Sequence, residues 1–386
     1  MDPLFSTSPS GHLVSTVNGA KAFIPRPLPP KIDGGVHLTA IAEASAALGE
    51  LNGSARRLSN PALLLRPLQS REALTSSAIE GTYSTEEDLA LLEADASTPF
   101  RNDAREVQNY AFALRESLAS IAAGVPITQA LIKAVHRRLL SGLPSNSPSV
   151  RPGEYKIEQN FIGGRRGRID LARFVPPPPL QTVDLMGQLE NYITQERSAR
   201  THPLIDAALI HYQFETIHPF ADGNGRVGRI LIPLTLRQSG VVGASLLYVS
   251  PYIEQSKDDY IALMYEVSRT GAWNPWIDYF LVAIAASARN ATATIDRLIS
   301  LQERFTAIAR QRSQSANLRL LVDHLFKSPI VTIPQVKDQL GVTYRAGAGL
   351  VAKLVDAGVL SEALGRPVRT FIAREILAVA REPGSP

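Results

Sequence analysis

The residues best equipped for chemistry are crowded into twelve positions, His218-Pro-Phe-Ala-Asp-Gly-Asn-Gly-Arg-Val-Gly-Arg229. One imidazole, one carboxylate, three glycines, an asparagine and two guanidinium groups form a set suited to handling a phosphate chain. A Gly-rich turn that opens a helix leaves backbone N–H groups unpaired and aimed at one spot, which makes an anion site. Gly223 and Gly225 let the backbone come close to a phosphate and adopt positive φ without steric cost. Arg226 and Arg229 are three apart, so on a helix they share a face and can reach the same polyphosphate. Asp222 is a hard oxygen ligand, suited to a Mg²⁺ that already carries nucleotide phosphates. His218 precedes this cradle and is the obvious general base beside it. An ordinary helix-to-helix turn, its arginines paired with surface carboxylates, is the bland alternative. So many joint features leave it little room.

The flanking sequence supplies elements to position that set. Residues 203–217 carry apolar side chains at helical spacing, among them Leu204, Ala207, Ala208, Ile210 and Phe214. Residues 230–236 are almost wholly apolar and read as a buried helix. The chain as a whole is long enough for two or three domains, at 386 residues. Its composition, 45% hydrophobic and 20% charged, is that of a globular protein with a large core. A net charge of +4 is compatible with an anionic substrate and too weak to argue for nucleic acid by itself. There are no cysteines, which excludes disulfides and thiolate zinc sites and fits a reducing compartment. Without a signal-like N-terminus or a run long enough to span a bilayer, the expectation is a soluble, cytoplasmic protein with no membrane partner.

The twelve-residue stretch resembles the signature of the Fic (Fido) family, His-x-Phe-x-Asp/Glu-Gly-Asn-Gly-Arg-x-x-Arg. His218, Phe220, Asp222, Gly223, Asn224, Gly225, Arg226 and Arg229 fill every fixed position. The resemblance covers roughly residues 25–310 and implies an all-α fold: a helical Fic core with a short β-hairpin flap. It also implies transfer of AMP from ATP to a Ser, Thr or Tyr hydroxyl of a protein target, with self-modification expected. His218 would then deprotonate the hydroxyl and Asp222 would hold Mg²⁺. The stretch from Gly223 through Asn224, Gly225, Arg226, Val227 and Gly228 to Arg229 would bind the nucleotide. Phe220 would anchor the loop, and Tyr260 would stack on the base.

A second stretch, Leu74-Thr-Ser-Ser-Ala-Ile-Glu-Gly-Thr-Tyr83, places Ser76 and Glu80 four apart on one side of a short helix that Gly81 ends. Alone it reads as a surface helix. Beside the central signature it resembles the family's inhibitory helix, Ser/Thr-x-x-x-Glu-Gly/Asn. That likeness implies that Glu80 pairs with Arg229 and keeps it from a γ-phosphate.

In chain order, residues 1–35 are Ser-, Gly- and Pro-rich and read as an extended arm. N-terminal helices follow over 36–125, the first stopped by Asn52-Gly53 and another containing the inhibitory segment at about 74–82. The catalytic core spans 126–312, with Thr128 capping one helix. His136 on that helix reads as packed or exposed at the helix end rather than as a metal ligand. Within the core, about 153–176 corresponds to the flap, with Gly153-Glu-Tyr-Lys and Gln159-Asn-Phe-Ile-Gly-Gly as its two sides. Such a flap would hold an extended target segment by backbone pairing. Ser250 opens a helix running through Tyr260, and Trp273 caps a long helix to about Arg312. Residues 316–386 resemble a winged helix, three helices followed by a two-stranded wing. Arg345, Lys353, Arg366 and Arg369 make a thin phosphate footprint, so a docking module is preferred to DNA binding. A homo-oligomer is compatible with all of this. The alternatives are a hydrolase that removes AMP, a transferase of another phosphate group, and a winged-helix transcriptional regulator with a nucleotide-sensing domain.

Overall fold

The computed structural model describes residues 2–57, 61–94, 102–144, 147–163, 168–195, 201–242, 247–363 and 368–381. The fold is all-α apart from two small sheets. In chain order the elements are strands β1 (Gly11–Ser15) and β2 (Lys21–Pro25) and helices α1 (Leu38–Arg56), α2 (Pro61–Ile79), α3 (Glu86–Ala94), α4 (Asn102–Ala122) and α5 (Gln129–Leu139). Helices α6 (Pro179–Thr194), α7 (Pro203–Ile217), α8 (Asn224–Gln238), α9 (Ser250–Gln255), α10 (Lys257–Thr270) and α11 (Trp273–Arg312) follow. The chain closes with α12 (Ala316–Lys327), β3 (Ile330–Thr332), α13 (Ile333–Leu340), α14 (Tyr344–Asp356), β4 (Ser361–Ala363), β5 (Thr370–Ile372) and α15 (Arg374–Arg381).

The core is built around α7, which is buried on nearly every side, polar residues Asp206, His211 and Gln213 included. A helix apolar all round belongs at the centre of a bundle. Its neighbour α8 is buried from Val227 to Leu236 and packs along it. The Trp276 indole N–H donates to the Ala208 carbonyl at 3.1 Å, which fixes the start of α11 against α7. Thr128 caps α5 as its position predicts, its hydroxyl accepting from the Leu131 N–H. Among the described residues, no helix is long and apolar enough to cross a membrane.

Several expectations need correction. The N-terminal segment is not an extended arm: β1 and β2 pair antiparallel from Gly11 opposite Pro25 to Ser15 opposite Lys21. Asn18-Gly19 turns the chain, with Gly19 at φ 77°, and Asn-Gly is a strong hairpin signal. Helix α1 does not stop at Asn52-Gly53 but runs on to Arg56. There the Asn52 amide donates to the Val241 carbonyl at 3.1 Å, so tertiary contact overrides local propensity. Among the described residues the flap is a single antiparallel bridge, Ile162 opposite Phe174, with both backbone bonds made. Gly153–Lys156 is not one of its sides; the Lys156 N–H donates instead to the Pro219 carbonyl, under the signature. The helix expected from Ser250 breaks at Ser256 into α9 and α10. The C-terminal sheet has three strands in the order β3-β5-β4, with α15 beyond it. Its Ile330 and Ile372 pack against Leu91 of α3, and Arg66 of α2 donates to the Lys327 carbonyl. Arg366 lies outside the described residues.

Candidate active site

Helix α7 ends at His218, which takes a left-handed conformation, φ 50° and ψ 59°. It is the one non-glycine residue with positive φ among the described residues. A residue in this region costs strain unless its surroundings impose it. Here Lys156 and Asn160 supply the constraint. The Lys156 ammonium donates to the carbonyls of Ile217 (3.2 Å) and His218 (2.9 Å) and to Asn160 Oδ1 (2.8 Å). The Asn160 amide donates to the carbonyls of His218 and Phe220, both at 3.0 Å.

The next turn is held from inside. Asn224 accepts from the Phe220 N–H and donates to the Phe220 carbonyl, each at 2.8 Å. Its side chain therefore shapes the loop, and its backbone N–H is what remains for an anion. Phe220 is wholly buried and stacks on the His136 ring at 3.8 Å. His136 is itself part of the scaffold. Its Nδ1 accepts from the Gly153 N–H at 2.9 Å, so Nε2 carries the proton and donates to the Asp222 carbonyl at 3.0 Å. Burial holds its pKa down at about 4, so it stays neutral.

Gly223, at φ 79°, starts α8. A Cβ added at Gly225 would lie 2.1 Å from Glu80 Oε1 and 2.9 Å from Arg229 Nη1. The Glu80 carboxylate thus sits over the opening turn of α8, where an anion is stabilised by unpaired N–H groups. Arg229 is almost fully buried. It donates from Nη2 to Glu80 Oε1 at 2.8 Å and to the Ser76 carbonyl at 2.9 Å, and from Nε to the Ser76 hydroxyl at 2.8 Å. Burial alone would raise the Glu80 pKa, but Arg229, then Arg226 and His218, hold it below the usual carboxylate range. Arg226 is also buried and donates to Glu106 of α4 at 2.8 Å, while its Nε has no partner. Val227 lies in the core, and Gly228 leaves the room that Glu215 fills, 2.0 Å from where a Cβ would be.

His218, Gly225, Arg229 and Glu80 line one cavity of about 280 Å³, together with Ile261, Met264 and Tyr265. Tyr260 also lines it, but its hydroxyl bonds His211 at 2.8 Å and its ring packs against Trp276 and Tyr279. It is mainly a core residue. His218 Nδ1 lies 3.2 Å from the Glu215 carbonyl, an arrangement that puts the proton on Nδ1 and leaves Nε2 free as a base. Burial first, and Lys156 second, bring its pKa down to about 4, so the base form prevails at neutral pH. Burial pushes the Glu215 carboxyl up to about 8, and one of its oxygens is unpartnered. Asp222 is more than half exposed beside this cradle. No cluster of three potential metal ligands occurs among the described residues. Asp222 Oδ1 accepts from the Gly223 N–H at 2.6 Å and lies 3.6 Å from Arg226 Nη2. A single exposed carboxylate of this kind fits Mg²⁺, which is bound by one or two carboxylates plus phosphates and keeps several waters.

Sequence reasoning found His218, the glycines, both arginines, Ser76 and Glu80, which the structure brings together. It missed Glu106, Lys156, Asn160 and Glu215; His136, read as packed or exposed at its helix end, is buried and braces the loop. None has a local pattern that distinguishes it from a surface polar residue.

Comparison with known proteins agrees with this geometry. Residues 38–119 match the family model described as Fic/DOC family N-terminal, and residues 126–236 match Fic/DOC family, together half the chain. The protein adenylyltransferase Fic of Drosophila melanogaster is 29% identical over 201 residues, 51% of this chain and 37% of the relative. That of Drosophila yakuba is 30% identical over the same shares. The chain therefore spans well under half the length of these curated relatives. A Fic family protein from Desulfovibrio desulfuricans shares the fold with a TM-score of 0.54 at 21% identity, over 90% of this chain and 98% of that one. A Fic domain containing signalling protein from Bacteroides thetaiotaomicron does so at 0.54 and 20%, over 67% of this chain and 97% of that one. With the two family models together matching half of its residues, the signature included, the chain belongs to the Fic/DOC family.

Proposed function

We propose that the protein is an adenylyltransferase that moves AMP from ATP to a hydroxyl of a protein target. The observation that carries this is the convergence of a free imidazole nitrogen, the opening turn of α8 and Arg229 on one cavity. Nε2 of His218 accepts the proton of the incoming hydroxyl as its oxygen attacks the α-phosphorus. The bond from that phosphorus to the β-phosphate oxygen breaks, and pyrophosphate leaves. Backbone N–H groups of Asn224 and Gly225 receive phosphate oxygens, and Arg226 and Arg229 neutralise their charge. Asp222 would hold Mg²⁺, which supplies further charge neutralisation across the phosphates. The backbone near Ile162 and Phe174 is suited to pairing with an extended target segment.

In the resting form Glu80 occupies Arg229 and the cradle, and we infer that this is inhibitory. A triphosphate seated without Arg229 presents its α-phosphorus poorly, and small misplacements cost large rate factors. The C-terminal unit, with its helix-strand-helix-helix-wing order, we read as a winged-helix docking module rather than a DNA reader. Arg369 is already paired with Glu362, and Lys353 with the Ser313 hydroxyl. Tight, salt-sensitive binding of random duplex DNA by the full chain would overturn that preference.

The direct test is incubation with Mg²⁺ and ATP labelled in the α-phosphate, followed by detection of covalent label on the protein or on an added target. No label from any variant freed of Glu80 would reject the transferase. Asp222→Ala should weaken the Mg²⁺-dependent part of ATP binding in titration calorimetry. An unchanged metal dependence would remove Asp222 from the site.

A further inference from the structure

We infer that Lys156 is a positioning residue for His218, its side chain gripping the carbonyls on either side of the left-handed turn from which the imidazole projects. The inference deepens the transferase proposal and rests on it. Lys156 is 3% exposed, and among the described residues its ammonium bonds no carboxylate. Its three bonds go to two carbonyls and one amide oxygen, all on or beside the turn. An ammonium buried without a counterion is costly, and surface attraction does not explain it. What it gains is the left-handed His218, whose carbonyl receives both Lys156 and Asn160. The same segment is tied to the loop by its backbone, Lys156 N–H to the Pro219 carbonyl at 2.8 Å. Six residues on, Ile162 forms the bridge with Phe174. The turn that aims the base and the strand suited to a target are thus one continuous stretch of chain.

Charge adds a second effect. Lys156 lowers the His218 pKa, while the hydrogen bond to the Glu215 backbone carbonyl on α7 and the charges of Glu80 just past α2 and Asp222 on the loop act in the opposite sense. Burial brings Lys156 itself down to about 7. In the acid range where His218 titrates the ammonium is therefore fully charged, and its loss should read directly on the imidazole.

The absence of native cysteines makes a clean test available. Lys156→Cys provides a sole thiol, which is alkylated in urea with 2-bromoethylamine, restoring an ammonium, or with iodoacetamide, giving a neutral side chain of similar length. Wild type is taken through the same unfolding and refolding. The His218 titration is followed by NMR of labelled histidine, assigned by its loss in His218→Ala, and self-labelling is measured in a Glu80→Gly background. The neutral form should show the His218 pKa raised by about one unit and labelling reduced about tenfold to hundredfold. The aminoethyl form should recover both. Equal titration and equal rate in the two alkylated forms would overturn the inference. The NMR reading does not depend on transfer, so failure of the transferase proposal would leave it standing. Should the cysteine variant fail to refold, Asn160→Ala carries the test, since it removes the second grip on the His218 carbonyl. About a tenfold loss of labelling is expected, and an unchanged rate would overturn the inference.

Discussion

The two arginines of the signature are chemically alike, three residues apart, and each is bound to a glutamate from the N-terminal helices. Their partners differ in kind. Arg226 is held by Glu106 from within α4, and the same carboxylate oxygen accepts from the Thr82 hydroxyl at 2.9 Å. Glu106 is fixed by helical backbone on both sides. Arg229 is held by Glu80, which lies just past the last turn of α2 before Gly81 at φ 89°. Its side chain remains 39% exposed although Arg229 is only 1% exposed. The Glu80 carboxylate also lies over Gly225, in the place an anion would take. One glutamate therefore braces its arginine; the other lies partly exposed over the opening turn of α8. Identical ion pairs do different work according to what holds the carboxylate.

The largest effect expected is at His218, the proposed general base. His218→Ala in a Glu80→Gly background should reduce labelling by about 10²–10⁴-fold while thermal unfolding stays cooperative. Residual labelling at the parental rate would assign the base elsewhere. Next in size is the contrast itself. Glu80→Gly should raise labelling about tenfold to hundredfold, the range available from freeing a charge-assisted bond of about 1.5–3 kcal/mol. Glu106→Ala should give no gain and should instead cost about 2 kcal/mol of stability by denaturant unfolding, because it strips a buried guanidinium of its nearer carboxylate and leaves only Asp222, 3.6 Å away. Arg229→Ala should not be activated, since it loses phosphate and inhibitor contacts together. If Glu106→Ala activates as strongly as Glu80→Gly, the distinction between brace and occupant fails. If wild type strips AMP from a modified protein and Glu80→Gly cannot, the enzyme is the hydrolase.

The smallest effect is a pH dependence. The folded Glu80 pKa lies below its unfolded value, so the pair's contribution is present above the unfolded carboxylate pKa of about 4.3 and is lost as pH falls through the folded one. The stability gap between wild type and Glu80→Gln should hold steady from neutral pH to about 5 and close below about 4. A gap that persists unchanged at low pH would mean that the contact is not an ion pair.

The sequence made the site legible where chemistry is written as local spacing. Eight fixed positions in twelve residues leave few alternatives, and the four-residue step from Ser76 to Glu80 is a statement about one helix face. Braces that come from afar are invisible to that logic. Glu106 and Glu215 look like ordinary polar helix residues, and Lys156 is an isolated lysine in a Gly- and Pro-containing segment. What marks them is burial, which only tertiary packing decides. The fold followed the same division. Amphipathic helices and the Thr128 cap follow from sequence. Helix α1 ran through Asn52-Gly53 because Asn52 found the Val241 carbonyl. The N-terminal hairpin was legible in Asn18-Gly19 but was outweighed by the Pro-rich composition around it.

The burial of Arg229 has a consequence for how much protein a cell would hold. Without Glu80 a guanidinium with 1% exposure loses its carboxylate and keeps only Ser76. Because Glu80 is partly exposed, the loss is nearer 1 than 5 kcal/mol, about 1–2. A loss of that size changes steady-state abundance several-fold through turnover of the unfolded form. A released variant would therefore be more active per molecule and scarcer in number, and whole-cell labelling would understate its gain. ATP binds only the folded form on this account, so nucleotide supply would partly restore the population. On the proposed reading, the glutamate that restrains transfer would also help hold the folded chain together.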